Sequence, residues 1–85
     1  CRPDSRGELT LRSPDPADKP RIQPRYLTAP SDVRVMLEGA KLARRIATTR
    51  PFADLVEEEL SPGPGTRSED EFLAYLRAAG TTVYH

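Results

Sequence analysis

The sequence predicts an α+β fold, in which two amphipathic helices, at about residues 31–48 and 68–79, accompany short strands. Two observations predict it: apolar residues recur every three or four positions in both helical segments, and they alternate with polar residues over 8–12. Hydrophobic residues make up 36% of the 85 and charged residues 31%, so the core must be thin. By size alone, residues 1–85 are therefore either one small domain or one partial domain of a longer protein.

The first predicted strand covers residues 8–12, where Leu9 and Leu11 share one face and polar side chains share the other. This alternation is typical of a half-buried strand. The proline-rich stretch that follows predicts an ordered surface loop, because proline lacks a backbone donor. Ile22 and the Tyr26-Leu27 pair then predict an extended segment, pinned at intervals and able to pair briefly with a neighbouring strand.

The first helix is predicted to begin at Ser31, a good N-cap residue, with Asp32 in its first turn, and to run to about Thr48. Gly39 costs about 1 kcal/mol relative to alanine in a helix, so packing offsets it or another element approaches closely. Pro51 prevents continuation of the helix. The predicted buried face comprises Val33, Met36, Leu37, Ala40, Ala43, Ile46 and Ala47, while Arg34, Glu38, Lys41, Arg44 and Arg45 lie largely elsewhere.

Residues 55–60 are predicted to form a short strand or an irregular segment, followed by a Pro-Gly-Pro-Gly turn. The second helix follows the turn, because Ser68 and Glu71 fit a capping box and Gly80 is placed to end the helix. Residues 81–84 are β-prone. The apolar positions of this helix are Phe72, Leu73, Tyr75, Leu76 and Ala79.

Composition narrows the classes of partner and cofactor. Thirteen basic and thirteen acidic residues cancel, so no long-range field draws the chain to nucleic acid or an anionic membrane. One cysteine excludes an internal disulfide, and one histidine leaves no zinc ligand set, so we expect no metal. No apolar run is long enough to predict a membrane segment. We expect a cytoplasmic location, with membrane association open for a longer protein.

Four features of the sequence could carry chemistry. Consecutive residues in the glutamate run 57–59 point to opposite sides of an extended chain, which favours a solvated edge. The turn at 62–65 lacks the Lys-Ser/Thr of a phosphate loop. Arg44-Arg45 has no interleaved aromatic residues, which favours salt bridging or solvation. His85 is the one side chain whose type suits proton transfer near neutral pH, yet the residues alone favour a surface role.

Several short motifs, taken together and in order, resemble one protein family. The motifs are Arg2 to Gly7, Leu9 to Ser13, Asp15-Pro16 through Pro20-Arg21-Ile22, Tyr26-Leu27, Asp32, Glu38-Gly39, Arg44-Arg45-Ile46, Ser61-Pro62-Gly63 and Thr82 to His85. In this order they resemble the glucose-methanol-choline (GMC) oxidoreductases, and the similarity is greatest to the choline-dehydrogenase-like branch of that family. The resemblance covers nearly the whole chain, although Arg25 stands where the family often has asparagine.

The resemblance implies a protein several times longer, in which a dinucleotide fold binds FAD and an antiparallel-sheet substrate domain includes residues 1–85. Such enzymes oxidise alcohols by passing hydride from the carbinol carbon to the flavin. By this resemblance His85 is the catalytic base or hydrogen-bond partner, and Val83 and Tyr84 flank the substrate. The sequence contains no Gly-x-Gly-x-x-Gly loop, so FAD would be bound mainly by other parts of the protein. We therefore expect the isolated segment, which ends at His85, to be inactive.

Two other interpretations stay open from the sequence alone. One is a freestanding α+β interaction module, without catalytic activity, that binds a partner through the apolar side of the helix at 31–48. The other is an inactive remnant of a longer enzyme. The leading hypothesis differs from both by its partners, which are the remainder of a flavoprotein chain and a small alcohol. It predicts a natural polypeptide much longer than 85 residues, of which a chain that starts at Cys1 would be an excised piece.

Overall fold

A computed structural model describes residues 2–82 of the chain. Two helices and a two-stranded antiparallel sheet agree with the predicted α+β class. The chain divides into two compact units between Val33 and Arg34, so that α1 begins in the first unit and continues into the second. The elements are β1 (Glu8–Thr10), β2 (Arg21–Gln23), α1 (Pro30–Ala47), a 3₁₀ helix (Phe52–Leu55) and α2 (Glu69–Ala79).

The sheet is a short ribbon in which Leu9 of β1 lies opposite Ile22 of β2. The predicted pairing of the extended segment is confirmed, but the predicted half-burial of the first strand is wrong. Leu9 and Leu11 are 64% and 81% exposed, and β1 ends at Thr10 rather than at residue 12. A two-stranded ribbon hides a face only when another layer covers it, and both faces of this one are open within residues 2–82.

Local hydrogen bonds order the connection between the two strands, as predicted. The Ser13 hydroxyl donates to the Asp18 carboxylate at 2.5 Å and accepts from the Asp15 amide at 3.1 Å. Just before β1, a Cβ on Gly7 would lie 2.5 Å from the carbonyl oxygen of Gln23. The absence of a side chain at Gly7 therefore permits the close approach of the two chain segments.

Helix α1 begins one residue earlier than the sequence predicts. Pro30 is its first residue, and the Ala29 carbonyl accepts from the amides of Asp32 and Val33 at 3.1 and 3.2 Å. Proline suits this position because its φ angle is preset and its missing donor would be unpaired anyway. The prediction of Ser31 as N-cap is therefore wrong, and its hydroxyl donates to the Asp4 carboxylate at 2.6 Å instead.

The predicted buried face of α1 is correct only in part. Leu37 is 9% exposed, whereas Met36, Ala43 and Ile46 are exposed. On the packed side two cationic residues, Lys41 and Arg44, are partly buried, contrary to prediction. Long cationic side chains can pack their stems along apolar surface when their charged ends find partners. The apolar residues of α1 therefore extend around more of the helix surface than residues 2–82 bury.

Helix α2 agrees closely with its sequence signals. The Ser68 hydroxyl accepts from the Glu71 amide at 3.2 Å, and the Glu71 carboxylate accepts from the Ser68 amide at 2.8 Å, which completes the capping box. Donation from the Ser68 and Arg67 amides lowers the pKa of Glu71. Phe72 is buried at 5% exposure. Before α2, residues 56–60 are irregular, which is one of the two predicted outcomes.

Candidate functional site

The three residues predicted to form the site, Val83, Tyr84 and His85, lie outside the described residues 2–82. Their proposed roles stay predictions from the resemblance. The structure does describe the helix that precedes them, α2, and the chain as far as Thr82. The described elements are therefore those that lead up to the predicted site.

Gly80 controls how the chain leaves α2. It adopts an extended conformation, with φ −64° and ψ 137°, while its amide donates to the Leu76 carbonyl at 2.8 Å. A Cβ at Gly80 would collide with that same carbonyl oxygen. The predicted end of the helix is confirmed, and the missing side chain lets the chain turn away immediately after the last helical residue.

A hydrogen-bonded cluster around the Arg44 guanidinium joins α1 to the segment before α2. We call it the Arg44 cluster: Arg44, Glu59, Gly63, Thr66 and Phe72. Nε of Arg44 donates to the Glu59 carboxylate at 3.1 Å, and its Nη2 donates to the same oxygen. The Thr66 and Gly63 carbonyls accept from Nη1 and Nη2 at 2.7 and 3.1 Å. The guanidinium carbon lies 4.3 Å from the centre of the Phe72 ring.

The Arg44 cluster uses the planar fork of arginine, which a lysine ammonium could not reproduce. Salt bridging by Arg44 is confirmed, while Arg45 is exposed. The prediction of a solvated edge holds for Glu57 and Glu58 but is wrong for Glu59, whose side chain is 29% exposed. The Arg44 guanidinium pairs with Glu59 and compensates the cost of partly burying this carboxylate.

A second ion-paired group links α1 to the first turn of α2. Lys41 Nζ donates to the Glu38 carboxylate at 3.1 Å and also to Glu69. The hydrogen bond with Glu69, then that with Glu38, raises the pKa of Lys41, and Lys41 in turn lowers the pKa of Glu69. Glu69 and Glu38 are mostly exposed, so solvent screens these pairs and each contributes little stability.

An open cleft of about 360 Å³ lies beside these pairs. Two of its four cations, Lys41 and Arg44, have carboxylate partners, and the other two, Arg45 and Arg67, are exposed. Residues 2–82 hold no group of three acidic, histidine or cysteine side chains that could bind a metal ion. Neither helix of this range is both long and apolar enough to span a membrane. The residues that line the cleft are Lys41, Arg44, Arg45, Thr48, Arg67, Glu69 and Phe72.

The acidic residue in the first turn of α1 fastens the N-terminal segment. The Asp32 carboxylate accepts from the amides of Asp4 and Ser5, each at 2.8 Å, and from the Ser5 hydroxyl. The same hydroxyl accepts from the amides of Thr28 and Ala29 at 3.1 and 3.0 Å. Asp4, Ser5 and Asp32 belong to the motifs that carried the family resemblance. Reasoning from local patterns missed their convergence because 27 residues separate Ser5 from Asp32.

Removing the Asp32 charge should release the N-terminal segment. Hydrogen bonds from the Ser5 hydroxyl and from the Asp4 and Ser5 amides lower the pKa of Asp32. The stabilisation is therefore complete above the unfolded-state pKa and is lost as pH falls through the folded-state pKa. We expect Asp32→Asn to speed tryptic cleavage after Arg6 at neutral pH. In wild type, the amide resonance of Ser5, which donates to Asp32, should report titration of the Asp32 carboxylate below the usual aspartate pKa.

Asp70→Asn is the matched control, because Asp70 is exposed and makes no side-chain hydrogen bond that we observe in residues 2–82. It should leave cleavage after Arg6 unchanged. Equal cleavage of wild type and Asp32→Asn would show that the carboxylate does not hold the segment.

The departure from the family pattern at position 25 has a backbone explanation. Arg25 has φ 51°, in the left-handed region that asparagine adopts more readily than most residues. Its guanidinium donates to the Glu8 carboxylate at 2.7 Å, but both side chains are about half exposed. The ion pair therefore offsets little of the conformational cost.

Comparison with known proteins extends over the same residues. The family model for the C-terminal region of GMC oxidoreductases matches residues 3–85. The chain belongs to the GMC oxidoreductase family. This confirms the resemblance, and the family is generally flavin-dependent. The match includes the N-terminal segment held by Asp32, the Arg44 cluster and α2, so these contacts belong to the GMC C-terminal region.

Curated relatives match almost the entire chain. A choline oxidase from Arthrobacter globiformis is 45% identical over 95% of it, and an alcohol dehydrogenase [acceptor] from Pseudomonas putida is 40% identical over 98%. An oxygen-dependent choline dehydrogenase from Staphylococcus aureus is 35% identical over 95%. The chain spans only 14 to 15% of the length of these relatives. It is thus similar to one region of oxidoreductases that act on choline or other alcohols.

Proposed function

We propose that this chain is a segment of the antiparallel-sheet substrate-binding domain of an FAD-dependent alcohol dehydrogenase or oxidase. The supporting observation is the match of residues 3–85 to the GMC C-terminal region, together with relatives named for choline and alcohol oxidation. The substrate in this proposal is a small primary alcohol or a similar compound. The partner is the remainder of the flavoprotein chain.

In this proposal His85 acts on the hydroxyl group of the alcohol. Its imidazole accepts the hydroxyl proton or a hydrogen bond from it, which stabilises the alkoxide that develops as the carbinol carbon is oxidised. Val83 and Tyr84 flank the substrate. The close turn at Gly80 and the capped α2 support this role, because a catalytic side chain must be held on a rigid element to act efficiently.

Residues 2–82 do not fit FAD by themselves. The Gly63 and Thr66 carbonyls accept hydrogen bonds from Arg44, and α2 begins only at Glu69. The glycine turn therefore does not place amides at a helix N-terminus, as a dinucleotide phosphate site requires. We assign FAD binding mainly to other parts of the polypeptide. The isolated chain is accordingly proposed to be inactive.

Purification from the natural source tests this function. We expect an intact mass several times 9.5 kDa and the visible absorbance bands of a flavin, which bleach anaerobically when choline or another small alcohol is added. A mutant strain that lacks the gene provides the control. A colourless 9.5 kDa species would refute the proposal and favour a freestanding interaction module or a remnant.

A further inference from the structure

The solvent side of α1 carries an apolar stripe that the described residues leave uncovered. Val35, Leu42 and Ile46 are 70%, 46% and 55% exposed. At 3.6 residues per turn, positions 35, 39, 42 and 46 fall along one line of the helix. We define the apolar stripe as Val35, Met36, Gly39, Leu42, Ala43 and Ile46, all of which are exposed.

Gly39 at the centre of the apolar stripe has no explanation within this part of the chain. A Cβ built there meets no other atom within 4 Å outside the neighbouring helix backbone. Alanine would be the better helix former, and nothing in residues 2–82 prevents it. A glycine among exposed apolar residues is instead suited to the close approach of a second backbone.

Charged residues of α1 lie on a separate side of the helix from the apolar stripe. Arg34 and Arg45 lie about a quarter turn from the line of the apolar stripe and are exposed, as expected for a solvated face. α1 therefore has a packed side, a charged side and an apolar side that residues 2–82 leave uncovered. Contiguous apolar surface of this kind marks a contact with another structural element.

We infer that the apolar stripe docks against an apolar helix or strand of the same polypeptide, outside residues 1–85, with a small residue opposite Gly39. This rests on the proposed function, in which the chain is part of a longer flavoprotein. About 85% of the length of the relatives lies outside the region that matches this chain. A tethered segment is present at an effective concentration in the millimolar range, which favours it over a second copy.

Cysteine labelling in the full-length polypeptide tests the inference. Val35→Cys and Leu42→Cys should react with a maleimide at least roughly tenfold more slowly than Arg34→Cys and Arg45→Cys, because docking buries the thiol. The rates are read at each site by peptide mass, and the difference should vanish in urea. Carbene footprinting of the unsubstituted protein provides the same comparison if a cysteine variant does not fold.

Equal labelling at all four positions would overturn the inference. Protection that disappears on dilution, together with a disulfide-linked dimer, would overturn it in favour of a second copy of the chain. Flavin absorbance and its bleaching by alcohol are recorded on the same samples. If alcohol bleaches the flavin but the stripe cysteines react as fast as the controls, the docking inference alone is refuted. If the stripe cysteines are protected in a long protein that carries no flavin, the proposed function alone is refuted.

Discussion

Replacing His85 by alanine in the full-length flavoprotein should slow alcohol-dependent reduction of the flavin by roughly 10²- to 10⁴-fold, the range typical of a general base. The physical reason is that the alcohol hydroxyl would lose the group that accepts its proton as the carbinol carbon is oxidised. Anaerobic stopped-flow absorbance measures this step directly. The amount of bound flavin should stay unchanged, because FAD is assigned mainly to other parts of the protein.

Two variants sharpen the His85 experiment. Arg45→Ala removes an exposed side chain and should leave the rate of flavin reduction unchanged. Tyr84→Phe keeps the ring beside the proposed base, and we expect it to alter the apparent affinity for the alcohol more than the limiting rate. If His85→Ala retained flavin and reduced it at the wild-type rate, the assignment of His85 as catalytic would be wrong.

Replacing Arg44 by methionine should loosen the connection between α1 and α2. The substitution removes the partner of a half-buried Glu59 carboxylate and leaves the Gly63 and Thr66 carbonyls without their donor. Hydrogen bonds to charged groups contribute about 1.5 to 3 kcal/mol each, so partial exposure suggests a net loss of about 2 to 3 kcal/mol. Amide exchange over residues 59–76 should then accelerate roughly 30- to 140-fold in the full-length protein.

Arg45→Met is the matched control for Arg44, because it deletes the adjacent guanidinium, which is exposed. It should leave exchange over residues 59–76 unchanged. Arg44→Lys should be nearly as damaging as Arg44→Met, because an ammonium cannot reach the carboxylate and two carbonyls in one plane. If the amides of residues 59–76 exchanged at the same rate in Arg44→Met and Arg45→Met, the Arg44 cluster would not be what stabilises this region.

Local signals predicted the helices well and their surroundings poorly. The Ser68 capping box and the end of α2 before Gly80 depend on neighbours within one or two helical turns, and both were recoverable from sequence. The N-cap of α1 was misplaced because Pro30 can itself begin a helix. The packed side of α1 was misassigned because Lys41 and Arg44 find partners 15 or more residues away, which periodicity cannot reveal.

The same reasoning explains what the sequence indicated about function. No property of His85 alone distinguishes a catalytic histidine from a surface one, because its role depends on groups supplied by the rest of an active site. The family resemblance carried that prediction, through residues such as Asp4, Ser5 and Asp32. These residues fasten the N-terminal segment through hydrogen bonds.

Only Leu37 and Phe72 are buried hydrophobic residues in the described part of the chain. Substitutions at exposed apolar positions such as Val35, Leu42 and Ile46 should therefore be nearly silent in an excised segment, even where they are damaging in a longer protein. A variant such as Leu42→Ser should leave the segment's own contacts almost unchanged. If the apolar stripe docks as we infer, the same variant should destabilise the full-length protein. If the segment is part of a longer protein, as proposed, the phenotype of a variant in this region depends on that whole protein, and mutational tolerance measured on the segment alone would be too high.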